Sequence, residues 1–263
     1  MLICKGLASE MVGEFPELQG QMGKIYARLQ GKPEEIALAI NEHWMPRGEK
    51  AALPVTEVGA LVSISDKIDN LLGFFGLDLK PTSSSDPYGL RRQALGLVRI
   101  ILDRQISIPL SSVLKTALNN FPTEIQSRGD LLVNEVLAYC IARQRGILQD
   151  LGYPKGEIEA CLAIRPDNFY DVRCRLEVLH AFRKESINFE QLIEVHKCCQ
   201  GQINGYPRKA LAPTLFCEAA EKALYSSIEY NRTTYLQAIK NKSYAEALSL
   251  LANLQLTGQS PPQ

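Results

Sequence analysis

His43 stands beside Trp44, and Asp66 and Asp69 follow at an i, i+3 spacing within SISDKIDNLL. On a helix that spacing puts both carboxylates on one face. Imidazole plus carboxylate is a donor set for a hydrolytic metal centre. A helical metal-dependent phosphohydrolase would want further histidines, including a His-Asp dipeptide. The chain has three histidines and no such dipeptide. Helix capping and packing is therefore the plainer role for His43, Asp66 and Asp69, and no metal is expected. His196, Cys198 and Cys199 form a second donor set, but adjacent cysteines rarely chelate one tetrahedral ion together. The seven cysteines are odd in number, irregularly spaced and without a C-x-x-C. They read as reduced thiols on apolar helical faces. No phosphate-binding glycine loop, G-x-S-x-G elbow or H-E-x-x-H helix occurs, so no catalytic residue is expected in this chain.

Basic side chains are the other candidate chemistry. Arg91, Arg92 and Arg99 lie on or near the polar side of an amphipathic helix. A solvated face explains them, as does contact with RNA or another subunit. Arg173 and Arg175 have i, i+4 partners in Glu177 and Asp171, worth about 0.2–0.5 kcal/mol per pair. Their alternative role is phosphate or base contact. Lys197, Arg208, Lys209 and Lys222 follow without such local partners. Arg208-Lys209 after Tyr206-Pro207 is the best loop-borne phosphate contact, and Tyr206 could stack on a base.

The elements that position these residues are helices. Leu90, Ala94, Leu97 and Ile101 repeat at helical spacing, and Asp86-Pro87 reads as an acidic N-cap followed by proline at the first helical position. Val133, Val136, Leu137, Cys140, Ile147, Leu148 and Leu151 trace a second face; Val172, Leu176, Leu179 and Phe182 trace a third. Ser243-Tyr244-Ala245-Glu246 is a capping box. A short helix is expected near 157–163. No alternating strand run and no internal repeat occurs, so the fold class is all-α.

Length and composition set the outer limits. The chain has 263 residues, 46% of them hydrophobic, enough for one large or two modest domains. With 18 Gly and 14 Pro it is neither collagenous nor disordered. Lys plus Arg equal Asp plus Glu at 29 each, so there is no global excess of positive charge. The C-terminal third, from residue 165, has two more basic than acidic side chains, a pointer to a polyanion partner. The start, MLICK, is not a secretory signal. The longest apolar stretch, Leu71 to Leu77, is far short of the roughly 20 residues a membrane span needs.

Four blocks carry a specific resemblance. They are Met11 to Gly20 (MVGEFPELQG, with Met22-Gly23 and Tyr26-Ala27 following), Glu42 to Arg47 (EHWMPR), Ser65 to Asp69 with Gly73 to Gly76 (SDKID and GFFG), and Asp86 to Ala94 (DPYGLRRQA). In this order, over about residues 4–104, they closely resemble the β subunit of bacterial glycyl-tRNA synthetase. Leu151-Gly152-Tyr153 and Ala163 to Asp167 also fit. The remainder is similar, more loosely, to the anticodon-binding domain of arginyl-tRNA synthetase.

That resemblance implies an HD-like helical segment over 1–105, a helical body over 106–164, an incomplete anticodon-binding helical bundle over 165–256 and a flexible tail over 257–263. Where an HD-type fold carries its His-Asp pair, this chain has Cys4-Lys5-Gly6-Leu7, in keeping with no bound metal. The implied function is to hold tRNA(Gly) for glycylation at the separate α subunit, which binds ATP and magnesium. The implied partners are tRNA(Gly) and that α subunit, in the cytoplasm, with no membrane and no DNA. Arg208, Lys209, Tyr206, Lys197, Arg173, Arg175, Arg91 and Arg92 are the candidate tRNA contacts. A degenerate HD-type metal phosphohydrolase and a stand-alone helical interaction module are the alternative functions. Two departures stand out. The family extends well upstream of Met1, and its usual basic K-R-V-x-N run is replaced by Lys197-Cys198-Cys199-Gln200-Gly201.

Overall fold

The computed structural model describes residues 13–164, 166–185, 188–205 and 212–256. Those residues form helices and connecting loops, with no strand among them. They divide into two compact units, residues 1–173 and 174–263, each taken by itself below.

The first unit begins with α1 (Gln21–Leu29) and α2 (Glu34–Glu42). Arg28 bridges to Glu34 across the turn between them. Gly31, at φ 67°, makes that turn possible. Helix α3 (Glu57–Gly76) starts at Thr56, whose hydroxyl accepts from the Gly59 amide at 3.0 Å. This is an ordinary threonine N-cap. Helix α4 (Leu90–Asp103) follows the polar 80–86 loop. Then come α5 (Leu110–Leu118), the single turn α6 (Thr123–Gln126), α7 (Gly129–Asp150) and α8 (Lys155–Leu162).

The expected apolar stripe of α4 forms the centre of the core. Leu90, Ala94 and Leu97 are completely buried, as are Val98 and Ile100. They pack with Leu71 and Leu72 of α3, Leu114 of α5, and Leu132, Val136 and Cys140 of α7. Each fully buried leucine contributes about 1.5–3 kcal/mol. The 106–164 body therefore shares one core with the segment before it. Ser107 to Ser111 are tied to the start of α9 (Phe169–Glu185): the Leu110 amide donates to the Asp167 carbonyl at 2.8 Å, and Asn168 Nδ2 donates to Ser107 Oγ at 3.0 Å.

The start of α4 differs from the local sequence reading. Pro87 is not its first residue; the helix begins at Leu90, preceded by Gly89 in the left-handed region. Asp86 still caps it. One carboxylate oxygen accepts from Leu90 N at 2.8 Å and the other from Arg91 N at 2.9 Å. Tyr88, stacked on Phe74 with ring centroids 4.3 Å apart, holds the intervening turn against α3.

The second unit holds the rest of α9, then α10 (Asn188–Ile203), α11 (Ala219–Lys240) and α12 (Tyr244–Leu256). Helix α12 packs against α10 and α11. Tyr244 and Ala247 are buried there, as is Ala238 of α11. Helix α11 opens with a capping box in which Glu218 and Glu221 exchange backbone hydrogen bonds. Few of its side chains are buried.

Candidate functional site

The EHWMPR block is a structural hinge-pin of the first unit. Glu42 is 4% exposed. Its carboxylate accepts from Val55 N at 3.2 Å and Thr56 N at 3.1 Å, and from the Thr56 hydroxyl. His43 is buried, its ring 4.7 Å from Trp44. Nδ1 lies 2.7 Å from the Ile40 carbonyl. A carbonyl can only accept, so Nδ1 carries the proton. Burial holds the His43 pKa below its ordinary value, against the pull of the Ile40 carbonyl. Met45–Pro46 is a cis peptide bond. Arg47 donates to the Glu17 carbonyl at 3.2 Å and to the Gln19 carbonyl. It thereby fastens residues 17–19 to this block.

Lys67 lies inside the unit, 3% exposed, on the same helix as Ile64, Ile68 and Leu71. Its ammonium donates to Ser63 Oγ at 2.7 Å, the Met45 carbonyl at 2.9 Å and the His43 carbonyl at 3.4 Å. Burial pushes its pKa down to about 8, opposed by Asp66. Asp66 is pushed the other way, upward, chiefly by burial, with Lys67 opposing and Asp69 adding. Gly96 of α4 makes room for this arrangement. A Cβ there would lie 2.8 Å from Lys67 Cε and 3.1 Å from Pro46 Cδ.

These groups frame a cleft of about 420 Å³ whose lining includes Glu17, Gln19, Trp44, Arg47, Asp66, Lys67, Arg92 and Gln93. Of the expected contacts, Arg92 alone lines this cleft. Arg91 instead donates to the Thr82 and Ser83 carbonyls, ordering the polar loop before α4. Arg99 likewise donates to the carbonyls of Gly48, Glu49 and Ala51. His43, Asp66 and Asp69 are not joined in a metal-binding cluster, and no group of three potential metal ligands occurs among the described residues.

Arg175 in the second unit lies over the Tyr244 ring, 4.7 Å from its centroid. Arg173, just before it on α9, is half-buried. Lys197 is exposed in a shallow groove on α10 beside Phe189, Glu190, Ile193 and Glu194. Two carboxylates thus share its surface. Tyr206, Arg208 and Lys209 lie outside the described residues, as does the Cys4-Lys5-Gly6-Leu7 segment. Among the described residues no helix is long and apolar enough to cross a membrane.

The described residues of the four blocks thus converge on one structural unit, and all four blocks contribute to the lining of one cleft. The family model described as glycyl-tRNA synthetase beta subunit matches residues 1–163. The chain belongs to the glycyl-tRNA synthetase beta subunit family. Its relatives include proteins named glycine–tRNA ligase beta subunit from Pseudomonas fluorescens, 38% identical, and from Stutzerimonas stutzeri, 37% identical, each over 252 residues. A protein of the same name from Azotobacter vinelandii is 38% identical over 252 residues. Each alignment covers 95% of this chain and 36% of the relative, so the chain spans about a third of the length of those proteins.

Sequence reasoning missed Arg47, Trp44, Lys67 and Gln93 as cleft residues. One signal was available. Lys67 interrupts the apolar stripe of Ile64, Ile68 and Leu71, and a lysine in that register must reach a buried acceptor.

Proposed function

We propose that the chain is the tRNA-handling part of a glycyl-tRNA synthetase β subunit, and that it positions tRNA(Gly) for glycylation at a separate α subunit. The observation that carries this reading is the family match over residues 1–163 together with identity to named β subunits over 95% of the chain. In this reading ATP and magnesium act at the α-subunit site, and this chain supplies no catalytic group. Its work is geometric. Backbone phosphates give affinity and register, and a few base contacts give identity. The two-charge basic excess from residue 165 onward suits such a role, because a polyanion needs only a local basic face.

Two measurements test the proposal. In a gel-shift titration, tRNA(Gly) should be retained at lower protein concentration than a non-cognate tRNA. In an aminoacylation assay with α subunit and full-length β subunit, deleting the segment equivalent to this chain should abolish glycylation of tRNA(Gly) while leaving glycyl-adenylate formation intact. Equal retention of both tRNAs, with glycylation undiminished by the deletion, would overturn it.

A further inference from the structure

The cleft of the first unit holds more positive charge than its fold uses. Arg47, Lys67 and Arg92 meet there with Asp66 and Glu17, one more cation than anion at neutral pH. Arg47 and Lys67 are committed to backbone carbonyls and Ser63. Arg92 is not. Among the described residues its guanidinium makes no hydrogen bond or ion pair, although Asp66 lines the same cleft. The guanidinium is laid over Gly89, where a Cβ would lie 2.9 Å from it. The side-chain carboxamide of the neighbouring Gln93 likewise has no partner among the described residues, and Gln93 lines the same space. Trp44, half-buried, supplies an aromatic wall, and the volume of about 420 Å³ is within the range of small-ligand sites.

We infer that this cleft binds a nucleotide, its phosphate on Arg92 with Arg47 and Lys67 behind, and its base against Trp44. A planar guanidinium with all of its donors free is matched to a phosphate ester. The nucleotide could be free or an unpaired residue of an RNA strand; the recognition chemistry is the same. The inference stands apart from the tRNA-positioning role, because a mononucleotide tests it without tRNA or an α subunit.

Trp44 is the single tryptophan of the chain, so intrinsic fluorescence reports on this cleft directly. The intact 263-residue chain is titrated with adenosine 5′-monophosphate, with adenosine and with a 5′-phosphorylated trinucleotide. The monophosphate should change Trp44 emission saturably, adenosine should bind at least about tenfold more weakly, and Arg92→Glu should lose binding by about tenfold or more. Arg92 is exposed, so this variant should keep its circular dichroism and melting temperature. Tighter binding of the trinucleotide assigns the cleft to an RNA strand and equal binding to a free nucleotide; both support the inference. Unchanged Trp44 emission at about 10 mM monophosphate, or an Arg92→Glu affinity equal to that of the parent, overturns it.

Discussion

The Glu42 carboxylate fills the space that a side chain at residue 59 would need. A Cβ on Gly59 would lie 1.9 Å from Glu42 Oε2 and 2.7 Å from Glu42 Cβ. Gly59 is helical, so what it contributes is its lack of a side chain rather than backbone freedom. The pair fastens the end of α2 to the first turn of α3, where Glu42 also satisfies the amides of Val55 and Thr56.

Gly59→Ala should therefore destabilise the first unit by about 2 kcal/mol or more, since the carboxylate must leave its donors. Adding Glu42→Ala should cost less in the Gly59→Ala background than in the parent, because the two residues share one space. Urea unfolding of the four proteins checks both statements. Additive losses would show that the two positions act independently.

Asp86 supplies both oxygens to the first amides of α4. Asp86→Ala should cost about 1–2 kcal/mol, and Asp86→Asn should retain part of that stability by keeping one acceptor. Thermal unfolding separates the three proteins. An Asp86→Ala variant as stable as the parent would remove the capping role.

Lys67 makes stability depend on pH in a definite direction. Its folded pKa is about 8, below its ordinary 10.5. Under about pH 8 the ammonium is charged in both states, and the folded protein bears the whole penalty of burying it. Between about pH 8 and 10.5 the unfolded chain holds its proton more tightly than the folded one, so stability rises with pH. Relative to Lys67→Met, the parent should gain at most about 3 kcal/mol across that window. A stability difference independent of pH would refute the buried, proton-releasing lysine.

The thiols should separate by burial. Cys140 is fully buried and its pKa is pushed up to about 12, while Cys198, Cys199 and Cys217 are exposed. Brief alkylation of the native protein, followed by peptide mass mapping, should label the latter three and spare Cys140 and Cys161. Early labelling of Cys140 would mean that the α4–α7 core opens readily.

Arg208→Ala or Lys209→Ala should weaken tRNA binding and reduce its salt slope by roughly one unit per lost phosphate contact. Lys197→Ala should do less, since Glu190 and Glu194 share its groove. Unchanged affinity of both variants across salt concentrations would remove Arg208 and Lys209 from the interface.

Local pattern was enough to locate the core. Leu90, Ala94, Leu97 and Ile101 repeat at helical spacing and are all buried. It was not enough to place the start of α4. The Asp86-Pro87 signal is local, whereas Tyr88 is held by Phe74, a residue on another helix. Arg99 is a further case: on its own helix it reads as a solvated charge or an RNA or subunit contact, yet its acceptors are carbonyls about 50 residues away, at Gly48, Glu49 and Ala51. The Arg92 cleft is half legible in the sequence: the cation stands out, but Lys67 joins it only through the packing of α3 on α4, and Arg47 from the segment between α2 and α3.

The irregular segment between Arg47 and Thr56 is held from α4 by Arg99, and by Arg104 donating to the Pro54 and Val55 carbonyls. Every residue type presents the same carbonyl, so these bonds are blind to the side chains of the segment they hold. Substitutions at Glu49, Lys50 or Val55 can accumulate without loosening the segment, whereas Arg99 and Arg104 can be exchanged for nothing with the same reach and number of donors. The segment can therefore drift in composition while its path stays fixed, which makes it a natural place to graft new surface chemistry onto an unchanged scaffold.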